Sequence, residues 1–293
     1  MGQQINNLSH VPELIIQDSN DIAEAVANSK AYYDGPADEI YRLVWGDNIH
    51  LGIPCDDDCP HPEAMEHTNE IMAGTAKLKA GAKVLDMGCG YGASARYLAK
   101  NFGCSVVGIN VSEKELDVAN QRAQETGLQD FLTFENGDFH HLKYAEDSFD
   151  VVWSQEAFLH GANKEQIISE AKRVLAPGGT LIFTDLLVTT GTSHSDRERI
   201  CERIKSPVMW DADDYHSCLR VQGLQLLQTQ DWSAHVARSY SWIRYEVDRN
   251  REVLLSKTDS QTVDRTMDGL GFWIESANAG KIGWGLFAAL KPR

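Results

Sequence analysis

The densest chemistry in this 293-residue chain stands in Val84-Leu85-Asp86-Met87-Gly88-Cys89-Gly90-Tyr91-Gly92. An apolar run ending in D-x-G-x-G-x-G describes a strand that turns at once into a helix. Its glycines let the backbone bend tightly and approach a ligand that a Cβ would hold off. Asp86 would stand beside an ammonium on that ligand. Nicotinamide and flavin domains use a related turn with G-x-G-x-x-G spacing, so residues further along must decide what is bound. Polar residues recur where the next strands should end: Asn110 and Val111 in VVGINVS, Asp138 and Phe139 in ENGDF, Gln155 and His160 in WSQEAFLH, and Thr184 with Asp185 after APGG. Gln155 and His160 are the first catalytic candidates. A histidine can take a proton near neutral pH, and an amide can hold a carboxylate or an amine. A histidine that opens a helix can equally serve as a cap.

Strands are expected at 82–86, 104–109, 131–136, 149–154 and 180–185. Helices are expected near 92–102, 112–126 and 163–175, the second opened by Ser112 with Glu115 three residues later as a capping box. Such βαβ repetition makes a parallel sheet, and ligands bind at the carboxyl ends of its strands. An amphipathic helix over 63–79 leads in, ending at Gly81. Upstream, residues 1 to about 28 read as an irregular or loosely helical arm. The segment AYYDGPADEIYRLVWGDNIHL then gathers Tyr32, Tyr41 and Trp45 ahead of any strand, as a lid or as packing on the core. After Leu187 a helical cap is expected to about 219. Two further strands, 224–232 and 282–290, flank a helical stretch from about 239 to 278. The organisation expected is an arm and aromatic lid over 1–75 and a ligand-binding α/β domain over 76–293, with the cap at about 188–219.

Twenty-seven Lys and Arg against forty-three Asp and Glu give a net charge of −16, which repels a nucleic-acid backbone. No apolar run approaches the roughly 20 residues of a membrane span. The start, MGQQINNLSH, lacks a secretory pattern, and Asn6 breaks the myristoylation one. A cytoplasmic protein without membrane or nucleic-acid partners is expected, as a monomer or homodimer. Of six scattered cysteines, only Cys55 and Cys59 in CDDDCPH lie close in sequence. Even with His61 they lack a fourth metal ligand, so they read as two thiols in an acidic loop, with no metal.

Residues 84–92, 110 and 138–139, in that order, resemble the class I S-adenosylmethionine-dependent methyltransferases. The resemblance implies an α/β, Rossmann-like fold: a mostly parallel seven-stranded sheet with helices on both faces. It implies S-adenosylmethionine as cofactor and S-adenosylhomocysteine as product. Asp86, Gly88 and Gly90 would cradle the amino-acid end, with Gln155 beside the transferable methyl. Asn110 and Val111 would meet the ribose, Asp138 the adenine amine and Phe139 the ring. Most members carry Asp or Glu where this chain has Asn110, and an amide offers one acceptor oxygen and two donors instead.

Within that class the chain is similar to the sarcosine and dimethylglycine N-methyltransferases that form glycine betaine. The similarity is carried by YYDGPADEIYRLVWGDNIHLG, VLDMGCGYGASARYLAKNFG, GINVS, FDVVWSQEAFLH and WIESANAGKIGWG. It implies stepwise methylation of a small amino acid. Such a substrate must lose its ammonium proton before attack, and His160 is a candidate acceptor. Aromatic faces stabilise the cation that forms, at about 0.5–2 kcal/mol per contact, and Tyr32, Trp45, Trp210 and Tyr240 are candidates. Arg203 and Lys205 in ERIKSP are candidates for the carboxylate, with Arg42 as competitor. The alternatives are methylation of a natural product or of phosphoethanolamine, and a non-catalytic S-adenosylmethionine sensor.

Overall fold

The computed structural model describes residues 19–35 and 37–293. Residues 1–18 of the expected arm, and the side chain of Tyr41, lie outside the described residues. The described residues open with three helices, α1 (Ser19–Tyr33), α2 (Ala37–Val44) and α3 (His61–Thr75). The alternation follows: β1 (Lys83–Met87), α4 (Ala93–Phe102), β2 (Ser105–Asn110), α5 (Glu113–Glu125), β3 (Leu132–Asn136), β4 (Phe149–Gln155), α6 (Lys164–Val174) and β5 (Leu175–Val188). Next come α7 (His194–Arg203), α8 (Ala212–Val221), β6 (Gln225–Asp231), α9 (Val236–Arg249), α10 (Arg251–Leu255), α11 (Ser260–Asn278) and β7 (Ile282–Leu290).

The seven strands form one sheet in the order β3-β2-β1-β4-β5-β7-β6, with β7 antiparallel to both neighbours. Its central strands are mostly apolar because both faces are covered: Val84, Leu85, Met87, Val152, Trp153, Ile182 and Phe183 are all fully buried. β5 begins earlier than expected, since Leu175 already pairs with Phe149 and the strand absorbs the APGG turn through a register shift. The long helical stretch before β7 is three helices, the last started by Asp259, whose carboxylate accepts from Thr262 N at 2.8 Å.

The capping box expected at α5 forms by half. Ser112 Oγ accepts from Glu115 N at 3.1 Å, but the Glu115 carboxylate turns to Asn110, accepting from its Nδ2 at 2.6 Å. Cys55 and Cys59 are joined as a disulfide rather than left as thiols; their Cα atoms are 5.5 Å apart, within bridging range. Among the described residues no helix is long and apolar enough to cross a membrane.

Candidate active site

The site lies at the carboxyl ends of β1, β2 and β4. Gly88 has φ +83° and would put a Cβ only 2.4 Å from that of Ala157, so the turn after β1 and the segment after β4 can meet only through a glycine. Beside it Asp86 is buried, and its Oδ2 has no hydrogen-bond partner among the described residues. Burial pushes its pKa up to about 7. Gln155 faces the same cavity. Its Oε1 accepts from the Trp153 indole at 2.9 Å and from Ser94 Oγ at 2.5 Å. An indole can only donate, which fixes the oxygen there and turns the amide N–H2 towards the cavity, buried and unpartnered among the described residues. A waiting acceptor and a waiting donor beside one glycine turn fit the ammonium and carboxylate of an amino-acid tail.

A second cavity continues over the ends of β2 and β3, lined by Asn110, Val111, Glu115, Phe139, Gln155 and His160. Asn110 Oδ1 accepts from Val111 N at 2.8 Å. Glu115, five residues on, restores at this position the carboxylate that Asn110 lacks. Phe139 lines the cavity directly. Asp138 stands beside it, with Oδ1 2.9 Å from His140 N and 2.6 Å from His140 Nδ1. Burial opposes its charge, but the hydrogen bonds from His140 outweigh that and hold the carboxyl below its ordinary value.

A third, aromatic pocket opens beneath α1 and α7 and brings Tyr32, Trp45, Arg203 and Tyr240 together with Glu156 and His160. The Arg203 guanidinium carbon stands 4.8 Å from the Trp273 ring centroid and 5.5 Å from that of Tyr240. Three other candidates lie elsewhere. Lys205, beyond the last turn of α7 at φ +53°, is half exposed and pairs with Glu202. Trp210 packs on Tyr215, ring centroids 5.1 Å apart, in the core cluster on the other side of the sheet. Arg42 lines a separate surface depression with Asp47, Tyr91, Arg122 and Lys257.

Glu156, absent from the sequence-level candidates, occupies the centre. It sits at φ +44°, a strained conformation for a non-glycine residue. Its carboxylate accepts from Leu51 N at 3.0 Å and from the Trp284 indole at 2.7 Å. Burial raises its pKa against these hydrogen bonds. His160 meets α1: its Nε2 lies 2.8 Å from the Tyr33 hydroxyl. Burial, with the Lys164 ammonium adding to it, lowers the His160 pKa to about 3. The segment after Trp45 is pinned over the glycine turn by Arg96, which donates to Tyr91 O at 2.6 Å and to Asp47 at 2.7 Å.

A glycine-cradled strand end, polar groups at the next two strand ends and a seven-stranded sheet with one reversed strand define a class I S-adenosylmethionine-dependent methyltransferase. The pattern of a methyltransferase domain family matches residues 85–183. The chain is 34% identical to the sarcosine/dimethylglycine N-methyltransferase of Halorhodospira halochloris, over 90% of this chain and 96% of that protein. It is 33% identical to the 27-O-demethylrifamycin SV methyltransferase of Amycolatopsis mediterranei, over 89% and 95%. Among solved structures, a candidate sarcosine dimethylglycine methyltransferase from Galdieria sulphuraria superposes with a TM-score of 0.82 at 31% identity, covering 88% of this chain and 99% of that one. The chain belongs to the sarcosine/dimethylglycine N-methyltransferase family.

Proposed function

We propose that this enzyme methylates the nitrogen of sarcosine, dimethylglycine or both, towards glycine betaine. The observation that carries the reading is the third pocket, which puts a guanidinium, a carboxylate and several aromatic faces around one small space. A zwitterion with a small alkylated amine needs those groups. Arg203 takes the substrate carboxylate by charge-assisted hydrogen bonds. Glu156 and the faces of Tyr32, Trp45 and Tyr240 favour positive charge at the amine, which grows towards a full quaternary centre as the new bond forms.

S-adenosylmethionine supplies an electrophilic methyl on a sulfonium. Asp86 and Gln155 would hold its amino-acid end, Asn110 with Glu115 the ribose hydroxyls, and Phe139, with Asp138 beside it, the adenine. Holding the amine in line at about 3–3.5 Å from its target, with water excluded, supplies much of the rate enhancement. His160 ties α1 to the floor of the site through Tyr33, so its role is to position the lid. In this reading residues 1–75 close over a methyltransferase domain of residues 76–293, with the cap at about 188–219, and the reaction runs in the cytoplasm.

A hydroxyl-bearing natural product is the competing acceptor, favoured by the similarity to the rifamycin enzyme. A hydroxyl acceptor has no use for a guanidinium and a carboxylate lining one pocket. Incubation with methyl-labelled S-adenosylmethionine and dimethylglycine, with betaine identified by mass, tests the proposal.

A further inference from the structure

We propose that Nε2 of His50 is the atom that takes the proton from the substrate's ammonium. The inference rests on the reading that the acceptor is an amino acid's nitrogen. His50 is buried, and its Nδ1 lies 2.9 Å from Leu51 O. A carbonyl only accepts, so Nδ1 carries the hydrogen of the neutral ring and Nε2 keeps its lone pair. That Nε2 is buried and has no hydrogen-bond partner among the described residues. An acceptor so placed awaits a donor brought by a ligand.

The position says which ligand. His50 lines both the cavity beside the glycine turn, with Asp86 and Gln155, and the aromatic pocket, with Glu156 and Arg203. It therefore stands at the boundary the methyl group must cross, where an amino-acid substrate presents its N–H. The ring is held in place as well as aimed, since the Trp45 indole donates to His50 O at 3.4 Å and the Arg96–Asp47 pair anchors the same segment.

His160 is the obvious rival, since its Nδ1 is also buried without a hydrogen-bond partner among the described residues, but its Nε2 is engaged with the Tyr33 hydroxyl and the Lys164 ammonium opposes a positive charge on that ring. Among the described residues, the charged groups that line these two cavities with His50 are Asp47 after α2, already paired with Arg96, Asp86 from β1, Glu156 after β4 and Arg203 from α7; Cys89, His160, Tyr32, Tyr33, Tyr91 and Tyr240 are the other titratable groups there, and His61 from α3 lies near the ring. Arg203 is offset by the substrate carboxylate, which leaves Glu156 to favour an imidazolium. Burial pushes the His50 pKa down to about 4, so the ring is neutral when substrate arrives.

The step balances without a further reactant. The ammonium proton moves to Nε2, giving an imidazolium that keeps its Nδ1–H on Leu51 O. The amine, freed of its proton, inverts and its electron pair forms the N–CH3 bond, while the pair of the broken C–S bond returns to sulfur. The proton leaves Nε2 for water when the products depart. A quaternary product has no N–H to offer, so the last methylation removes the hydrogen bond that held the substrate.

The test is the pH profile of kcat/KM for dimethylglycine with the full chain, for wild type, His50→Ala and His50→Asn. The Asn amide can keep the bond to Leu51 O and removes only Nε2, which guards against loss of folding in the Ala variant. The zwitterion is the productive form in the wild type, so its profile is flat from about pH 7 to 9. In both variants the free amine must come from solution. Activity near pH 7 then falls by about a hundredfold and rises about tenfold per pH unit, with S-adenosylhomocysteine affinity unchanged by calorimetry, and imidazole restores the Ala variant. Flat profiles at near-wild-type rates in the variants would overturn the role of His50 alone. A wild type silent with glycine, sarcosine and dimethylglycine would overturn the amino-acid reading, and the proton transfer with it.

Discussion

The Trp284 indole donates to Glu156 Oε1 at 2.7 Å, tying the reversed strand β7 to the carboxyl end of β4. Glu156 thus holds its strained conformation with one oxygen on Trp284 and the other on Leu51 N. Glu156→Gln removes the negative charge beside the amine while keeping the side chain's length. It should lower kcat by about a hundredfold with little change in cofactor affinity, measured by steady-state kinetics and calorimetry. Trp284→Phe leaves that oxygen without its indole donor and should cost about 1–3 kcal/mol of stability in chemical denaturation.

Arg203 and Lys205 stand two residues apart at the end of α7 and meet different surroundings. Arg203→Ala should raise KM for dimethylglycine by about 10- to 100-fold, the loss of a charge-assisted pair, with cofactor binding intact. Lys205→Ala should stay within about twofold of wild type, since exposed ion pairs such as its contact with Glu202 contribute little. Equal effects of the two substitutions would remove Arg203 from the site.

Asp86 sets a pH dependence whose sign is fixed by burial. Its pKa in the free protein is raised to about 7, above the unfolded value, so its favourable contribution is complete below the unfolded pKa and is lost as pH rises through about 7. Wild type should therefore lose stability relative to Asp86→Asn between about pH 4 and 7, and the difference should then level off. The cofactor's ammonium prefers the carboxylate. S-adenosylhomocysteine should bind more tightly at pH 8 than at pH 6, with proton release on binding at the lower pH, and Asp86→Asn should lose both the affinity and the dependence. Calorimetry in buffers of different ionisation enthalpy reads this directly.

The Tyr33–His160 contact ties α1 to the cavity over the ends of β2 and β3, which Val26, Ser29 and Tyr33 also line. Tyr33→Phe removes one hydrogen bond of about 1 kcal/mol and should speed S-adenosylhomocysteine release by about fivefold in stopped-flow displacement. An unchanged off-rate would exclude α1 as the lid.

The strands and their polar ends were legible because each is set by local pattern: apolar runs broken by Gly-x-Gly, Asn110, Asp138 and Gln155. The rest depended on direction and distance. Glu115 looked like half of a capping box, and only the fold shows its carboxylate turned to Asn110. Glu156 sits next to Gln155 in sequence, but its strained backbone and its partners 105 and 128 residues away cannot be read from spacing. Lys205 and Trp210 follow Arg203 closely in the segment after β5, and the turn after α7 sends them elsewhere. His50 lies within WGDNIHLG but was not among the sequence-level candidates, because the contact with Leu51 O that fixes its tautomer is a matter of ring orientation.

The most direct measurement is S-adenosylhomocysteine production by the purified chain offered glycine, sarcosine, dimethylglycine and phosphoethanolamine separately, with each methylated product identified by mass. The pocket of Arg203, Glu156 and aromatic faces predicts turnover of sarcosine or dimethylglycine, with betaine as the end product and phosphoethanolamine untouched. Tight cofactor binding with no turnover of any amino acid would contradict the account and point to a natural-product acceptor.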